Sequence, residues 1–194
     1  LNAAGRERIL QAKSRREIYR ILTSPPSETP AKQPAPARAA PGSMKVGDYV
    51  RPECVAPHLA ATDGEGVVRE LIYLLAGQGL VGDPEEAVRV VLEREQQLST
   101  GMEAGVAIPH GRTDAVDRLV CAVGVKREGV DFGAADGKPS RIFVLVLTPT
   151  EGADPYLQFV ASLVHVLDGP GREQVLAAET RRQLAAALSE PAAR

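Results

Sequence analysis

The sequence predicts an α/β domain whose central β-sheet has helices on both faces. Two apolar runs, 119–125 and 141–148, are almost without polar residues, which is typical of strands buried on both sides. Segments around them carry apolar residues at helical spacing, so helices are available to cover both faces. The hydrophobic fraction of 44% is that of an ordinary globular protein and supports a core of this kind.

A proline-rich stretch divides the chain. Residues 1–22 are interpreted as a basic amphipathic helix or a fused peptide, and residues 23–43 as a Pro/Ala-rich linker. The folded domain is expected over residues 44–194. Residues 1–43 contain eight Lys or Arg against three Asp or Glu, while the remainder contains fifteen against twenty-two. The basic segment fits both a docking element and a disordered tail.

Within the domain, two helices are predicted first, over 64–78 and 84–97. Asp63 and Asp83 precede them as N-caps, and Pro84 suits a first helical turn. A glycine-punctuated loop with a short strand follows over 101–110, ahead of the two apolar strands. The remaining helices are predicted over 155–167, 171–177 and 180–188.

Composition and spacing exclude several classes of function. An acidic domain repels nucleic-acid phosphates, so no nucleic-acid partner is expected. No apolar stretch approaches the ~20 residues that span a bilayer, so we expect a cytoplasmic protein without membrane insertion. Cys54 and Cys121 are too few for a disulfide framework or a CxxC metal site, and no second His or Cys stands at ligand spacing to Asp114 or Asp117. No metal is therefore predicted.

His110 is the candidate for chemistry. It follows an apolar strand-like segment, with Pro109 restricting the backbone before it and Gly111 leaving one side of the ring open. A neutral imidazole is a nucleophile at physiological pH, and Arg112 can pair with phosphate oxygens. A turn histidine with a structural hydrogen bond fits the same pattern. His58 and His165 are expected at the surface.

The segments around His110 resemble a known family, the EIIA domain of the fructose/mannitol class of the phosphoenolpyruvate:sugar phosphotransferase system. The similarity is strongest to its nitrogen-regulatory branch and covers about residues 44–189. The motifs that carry it are Glu93-Arg94-Glu95, Ser99-Thr100-Gly101, Gly105-Val106-Ala107-Ile108-Pro109-His110-Gly111-Arg112, Gly129-Val130-Asp131-Phe132, Asp136-Gly137-Lys138-Pro139 and Leu157-Gln158.

The resemblance implies a mixed β-sheet and a phosphocarrier function. His110 would accept a phosphoryl group from an HPr-like protein and pass it to an EIIB cysteine or affect a regulatory target. Arg94 would stabilise the phosphoryl group, with Thr100, Arg112 and Tyr156 as further helpers. No cofactor is implied, because phosphoryl transfer asks mainly for positioning and charge stabilisation.

Position 156 departs from the family pattern. The family usually has a second histidine just before the Leu-Gln pair, and this chain has Tyr156 there. A tyrosine hydroxyl forms hydrogen bonds but carries no positive charge at neutral pH. Two functions therefore remain open from the sequence: a phosphocarrier, or a degenerate EIIA-like interaction module without phosphotransfer that is tethered through the N-terminal helix.

Overall fold

The structure, a computed structural model, describes residues 45–97, 99–134, 136–151 and 155–189. The strands are β1 (Val55–Ala56), β2 (Gly101–Met102), β3 (Val106–Ala107), β4 (His110–Arg112), β5 (Val120–Val130) and β6 (Ser140–Thr148). The helices are α1 (Gly64–Ala76), α2 (Pro84–Gln97), α3 (Tyr156–Val166), α4 (Pro170–Ala177) and α5 (Arg181–Ser189). The helix and linker expected over 1–43 lie outside the described residues, so that division of the chain stays a prediction.

An antiparallel ribbon of β5 and β6 forms the middle of a mixed sheet. The strand order is β1-β5-β6-β3-β2, and β4 pairs with β6 beyond the end of β3. β1 is parallel to β5, and both β3 and β4 are parallel to β6, whereas β2 is antiparallel to β3. The mixed sheet is therefore confirmed. β5 continues to Val130, past the predicted end at 125. Its register with β6 shifts between Val125 and Val130, and pairing resumes with Val130 opposite Ser140.

Helices cover both faces of the sheet, as the two apolar runs predict. All six side chains from Ile142 to Leu147 are 0% exposed. They alternate between two clusters: Ile142, Val144 and Val146 pack with residues of α3, α4 and α5, and Phe143, Leu145 and Leu147 pack with residues of α1 and α2. None of the helices in the described ranges is long and apolar enough to cross a membrane.

The predicted caps set the starts of the first two helices. The Asp63 carboxylate accepts a hydrogen bond from the Gly66 N–H at 2.8 Å, and that of Asp83 accepts one from the Glu86 N–H at 3.0 Å. Each satisfies a backbone donor that the first helical turn leaves without a partner. α1 ends at Ala76, two residues before the predicted end, and the left-handed Gly79, with a φ of 67°, turns the chain so that the Leu80 N–H bonds back to the Leu75 carbonyl.

A turn with left-handed backbone leads into β3. Ala104 has a φ of 68° and Gly105 a φ of 74°. Only glycine adopts such angles without steric cost, because the Cβ of an L-residue crowds the following carbonyl. Arg172 at the start of α4 donates a hydrogen bond to the Ala104 carbonyl at 3.4 Å. Ala104 is therefore a strained position that is held by its surroundings.

Ala104→Gly is expected to raise the free energy of unfolding by up to about 1 kcal/mol, since it removes the left-handed penalty at a modest cost in chain entropy. The same change at Ala122, a buried residue of β5, is the matched control and should lower it by about 1 kcal/mol. Urea unfolding measures both. A destabilised Ala104→Gly variant would contradict the assignment of strain.

Cys121 lies in the interior of the sheet, where its thiol donates to the Tyr49 carbonyl at 3.7 Å. Burial raises the pKa of this thiol from 9.0 to about 12, and neighbouring Cys54 pushes it further in the same direction. The folded protein thus keeps a proton that the unfolded chain loses. The resulting contribution to stability is complete below about pH 9 and is lost as the pH rises toward about 12.

Because of this linkage, wild-type stability should fall by about 1.4 kcal/mol per pH unit above pH ~9 on account of Cys121 alone. Cys121→Ala removes that part of the fall. Urea unfolding of both proteins below and above pH ~9 measures this. The free energy of unfolding of Cys121→Ala is subtracted from that of wild type at each pH, so that the contributions of other titrating groups cancel. Parallel pH dependences in the two proteins would show that the thiol is not the titrating group.

Candidate functional site

The strand beside β6 is broken at Ile108 and Pro109, and His110 begins its second half. Proline has no N–H to donate to a neighbouring strand. The Pro109 carbonyl still accepts from the Val146 N–H at 3.0 Å, and pairing resumes with His110 opposite Val146. His110 is thereby fixed by the sheet at the end where β6 leads into the loop before α3.

The His110 ring has two partners on the same nitrogen. Nδ1 lies 3.1 Å from the Ile108 carbonyl oxygen and 3.1 Å from the Tyr156 hydroxyl oxygen. The two rings are stacked, with centroids 4.4 Å apart and planes 23° from parallel. Tyr156 is the first residue of α3, so the packing of that helix on the sheet delivers the hydroxyl to the imidazole.

The Ile108 contact selects one tautomer of His110. A carbonyl oxygen only accepts hydrogen bonds, so Nδ1 carries the proton and donates it. In the neutral ring the lone pair then resides on Nε2. The half-buried imidazole therefore offers Nε2 as its nucleophilic atom.

Helix α2 packs directly on β4 at Gly111. A Cβ at Gly111 would lie 2.9 Å from Val90 Cγ1 and 3.1 Å from Val91 Cγ2. Arg94 stands one turn further along α2, on the same side as Val90 and Val91, in the last turn of the helix, where a positive charge is favourable. The structure thus brings the predicted Arg94 to the side of the helix that contacts the His110 strand.

Thr100 is held by Glu95, a residue with no predicted role in the site. The Glu95 carboxylate accepts from the Thr100 N–H and from its hydroxyl, both at 2.6 Å. The Thr100 carbonyl in turn accepts from the Ile108 N–H at 3.2 Å. This chain of bonds ties the end of α2 to the residue whose carbonyl orients His110. Thr100 therefore acts on His110 through Ile108 in this structure.

Arg112 is engaged with the loop that follows β6. Its guanidinium donates to the Pro149 carbonyl at 3.1 Å and to the Thr150 carbonyl at 2.7 Å. The Thr150 hydroxyl also donates to the Asp114 carboxylate. From the sequence, Asp114 was weighed only as a metal ligand. Within the described residues no group of three or more His, Cys, Asp or Glu side chains could hold a metal ion.

The other two histidines lie apart from this site, as expected. His58 is exposed, with Nδ1 3.2 Å from the Arg127 guanidinium. Since arginine only donates, this contact requires an unprotonated Nδ1. His165 is exposed near the end of α3.

Comparison with known proteins gives a consistent picture. Residues 48–190 match the family model "Phosphoenolpyruvate-dependent sugar phosphotransferase system, EIIA 2". A fructose-specific EIIA component of the phosphotransferase system from Haloferax volcanii is 35% identical over 127 residues, covering 65% of this chain and 82% of that protein.

Solved structures share the fold. The nitrogen regulatory protein IIA-Ntr from Neisseria meningitidis aligns with a TM-score of 0.67 at 25% identity, over 74% of this chain and 98% of that one. The mannitol enzyme IIA from Escherichia coli, solved in complex with phosphorylated mannitol enzyme IIB, aligns with a TM-score of 0.61 at 23% identity, over 70% and 94% of the two chains.

Gly111→Ala is expected to lower the free energy of unfolding by about 1–3 kcal/mol, because the added methyl group overlaps Val90 and Val91. Gly82→Ala is the matched control: its Cβ would meet only the Ala115 carbonyl, at 3.6 Å. That variant should stay within about 0.5 kcal/mol of wild type or gain slightly. Chemical denaturation tests the pair, and equal stabilities would rule out the close approach of α2 to β4.

Proposed function

Because the chain belongs to the EIIA 2 family of the phosphoenolpyruvate-dependent sugar phosphotransferase system, we propose that His110 is the residue that carries the phosphoryl group. The observation that supports this most directly is the Ile108 carbonyl at 3.1 Å from Nδ1. It leaves Nε2 as the nitrogen with a free electron pair. The chain is thus a phosphocarrier domain, and Nε2 of His110 is its proposed acceptor atom.

The proposed step is a displacement at phosphorus. The Nε2 lone pair attacks the phosphoryl group of a phosphohistidine on an HPr-like donor protein. The new bond joins Nε2 to phosphorus, and the bond from phosphorus to the donor nitrogen breaks with its electrons left on that nitrogen. No separate base is needed before attack, because Nε2 is unprotonated in the neutral ring.

The helper residues have distinct proposed functions. Arg94 supplies positive charge to the phosphoryl oxygens from the end of α2, since a guanidinium can pair with two of them at once. The Thr100 carbonyl accepts a hydrogen bond from the Ile108 N–H and so helps to hold the Ile108 carbonyl in place. Arg112 supports the site from β4 by holding the loop after β6, and Tyr156 supports it from the start of α3.

Proteins of the EIIA type interact with phosphocarrier proteins and with EIIB domains. The complex of mannitol enzyme IIA with phosphorylated mannitol enzyme IIB illustrates the second interaction. For this chain we propose an HPr-like donor and either an EIIB cysteine or a regulatory protein as the target. Similarity to both a fructose EIIA component and IIA-Ntr supports each of these targets. The cytoplasm remains the proposed location.

Incubation with phosphoenolpyruvate, enzyme I and HPr, or their nitrogen-branch counterparts, should label the wild-type chain with an acid-labile, alkali-stable phosphate. His110→Ala should abolish the label, because it removes the acceptor nitrogen. His165→Ala is the matched control and should label as wild type does, since His165 is exposed elsewhere on α3. Radiolabel retained on the protein after gel separation measures the outcome.

Two results would contradict the proposal at different points. Label that persists in His110→Ala would overturn the assignment of the acceptor residue. An unlabelled wild-type chain, with an authentic EIIA labelled in the same mixture, would overturn phosphotransfer itself and favour the interaction module.

A further inference from the structure

The Tyr156 hydroxyl is placed against the nitrogen of His110 that does not take the phosphoryl group. Its oxygen lies 3.1 Å from Nδ1, and the tyrosine ring is stacked along the imidazole. Nε2, the proposed acceptor, is on the other side of the imidazole ring. A hydroxyl in this position contacts Nδ1 and not a phosphoryl group on Nε2. Its hydrogen bond therefore depends on whether Nδ1 carries a proton.

Nδ1 therefore has two neighbours with different capabilities. The Ile108 carbonyl only accepts, so it stabilises Nδ1 when that nitrogen carries a proton. A tyrosine hydroxyl both donates and accepts. Tyr156 can accept from a protonated Nδ1, and it can donate to an unprotonated one by rotating its O–H.

Phosphorylation makes this difference important. Attack by Nε2 with the proton still on Nδ1 gives a phosphoimidazolium, which carries a positive charge. Loss of the Nδ1 proton to solvent gives the neutral phosphohistidine, whose lone pair then faces the Ile108 carbonyl oxygen. Two electron-rich atoms at this distance repel each other unless a donor intervenes.

We propose that Tyr156 supplies that donor: its O–H bonds to the unprotonated Nδ1 and stabilises the neutral phosphohistidine. This inference rests on the proposed function of His110. The neutral form is the longer-lived one, because a protonated imidazole is the better leaving group when water attacks phosphorus. Tyr156 thus lengthens the life of the phosphorylated state, and its contribution comes from the hydroxyl and not from the ring.

The test compares the phosphorylated forms of the full chain as wild type and as Tyr156→Phe, which keeps the stacked ring and removes only the hydroxyl. After labelling through HPr and removal of the donor proteins, loss of phosphate is followed in mildly alkaline buffer. The half-life should be shorter in Tyr156→Phe by roughly three- to ten-fold, the effect of one lost hydrogen bond. Tyr73→Phe is the matched control: its hydroxyl bonds Glu85 on the surface, and its half-life should equal that of wild type.

A second measurement separates this effect from a loosened site. Nitrogen-15 NMR of the unphosphorylated proteins should find the Nδ1–H tautomer of His110 in both wild type and Tyr156→Phe, because the Ile108 carbonyl alone requires it. An equal or longer phosphohistidine half-life in Tyr156→Phe would overturn the inference. A wild-type chain that takes no label would instead overturn the proposed function, so the two failures are distinguishable.

Discussion

The break at Ile108 and Pro109 in the strand beside β6 determines how the site is built. In an unbroken strand the Ile108 carbonyl would be directed to the neighbouring strand. Here the Ile108 N–H still bonds to the Thr100 carbonyl, in register with the pairing of β2 and β3, but the Ile108 carbonyl is turned to the His110 ring. Because proline has no N–H, the break removes no ladder bond at position 109. A backbone carbonyl is thereby assigned to orient a side chain, which fixes both its direction and its tautomer.

That break is tolerable because the rest of the sheet is so thoroughly packed. β6 is buried on both faces. Its side chains pack alternately against the helices on one face of the sheet and against those on the other. Pairing of β4 with the end of β6 continues into Thr113, whose N–H bonds to the Thr148 carbonyl. The site therefore lies at the edge of a well-packed scaffold. Polar groups there can reach solvent, which avoids the cost of burying them among apolar side chains.

The sequence predicted the elements whose signals are local. Asp63 and Asp83 mark helix starts, and the run from Ile142 to Leu147 marks a strand buried on both sides, since each signal needs only a few neighbouring residues. The contacts of Glu95 and Asp114 could not be predicted in this way. Their partners depend on the paths that loops take in the folded chain. The Glu95 carboxylate accepts a hydrogen bond from Thr100 in the loop after α2. The Asp114 carboxylate accepts one from Thr150, which is thirty-six residues away.

Tyr156 is a case in which packing and chemistry act on different residues of one helix. The location of α3 is determined by Phe159 and Leu163, both 0% exposed in the core below it. Tyr156 is only half-buried at the helix start, so its identity is constrained less by packing than by the imidazole it contacts. An imidazole at this position could carry positive charge near neutral pH, whereas a phenol adds an uncharged hydrogen-bonding group. A substitution here therefore changes the electrostatics around His110 while the helix that presents it stays in place.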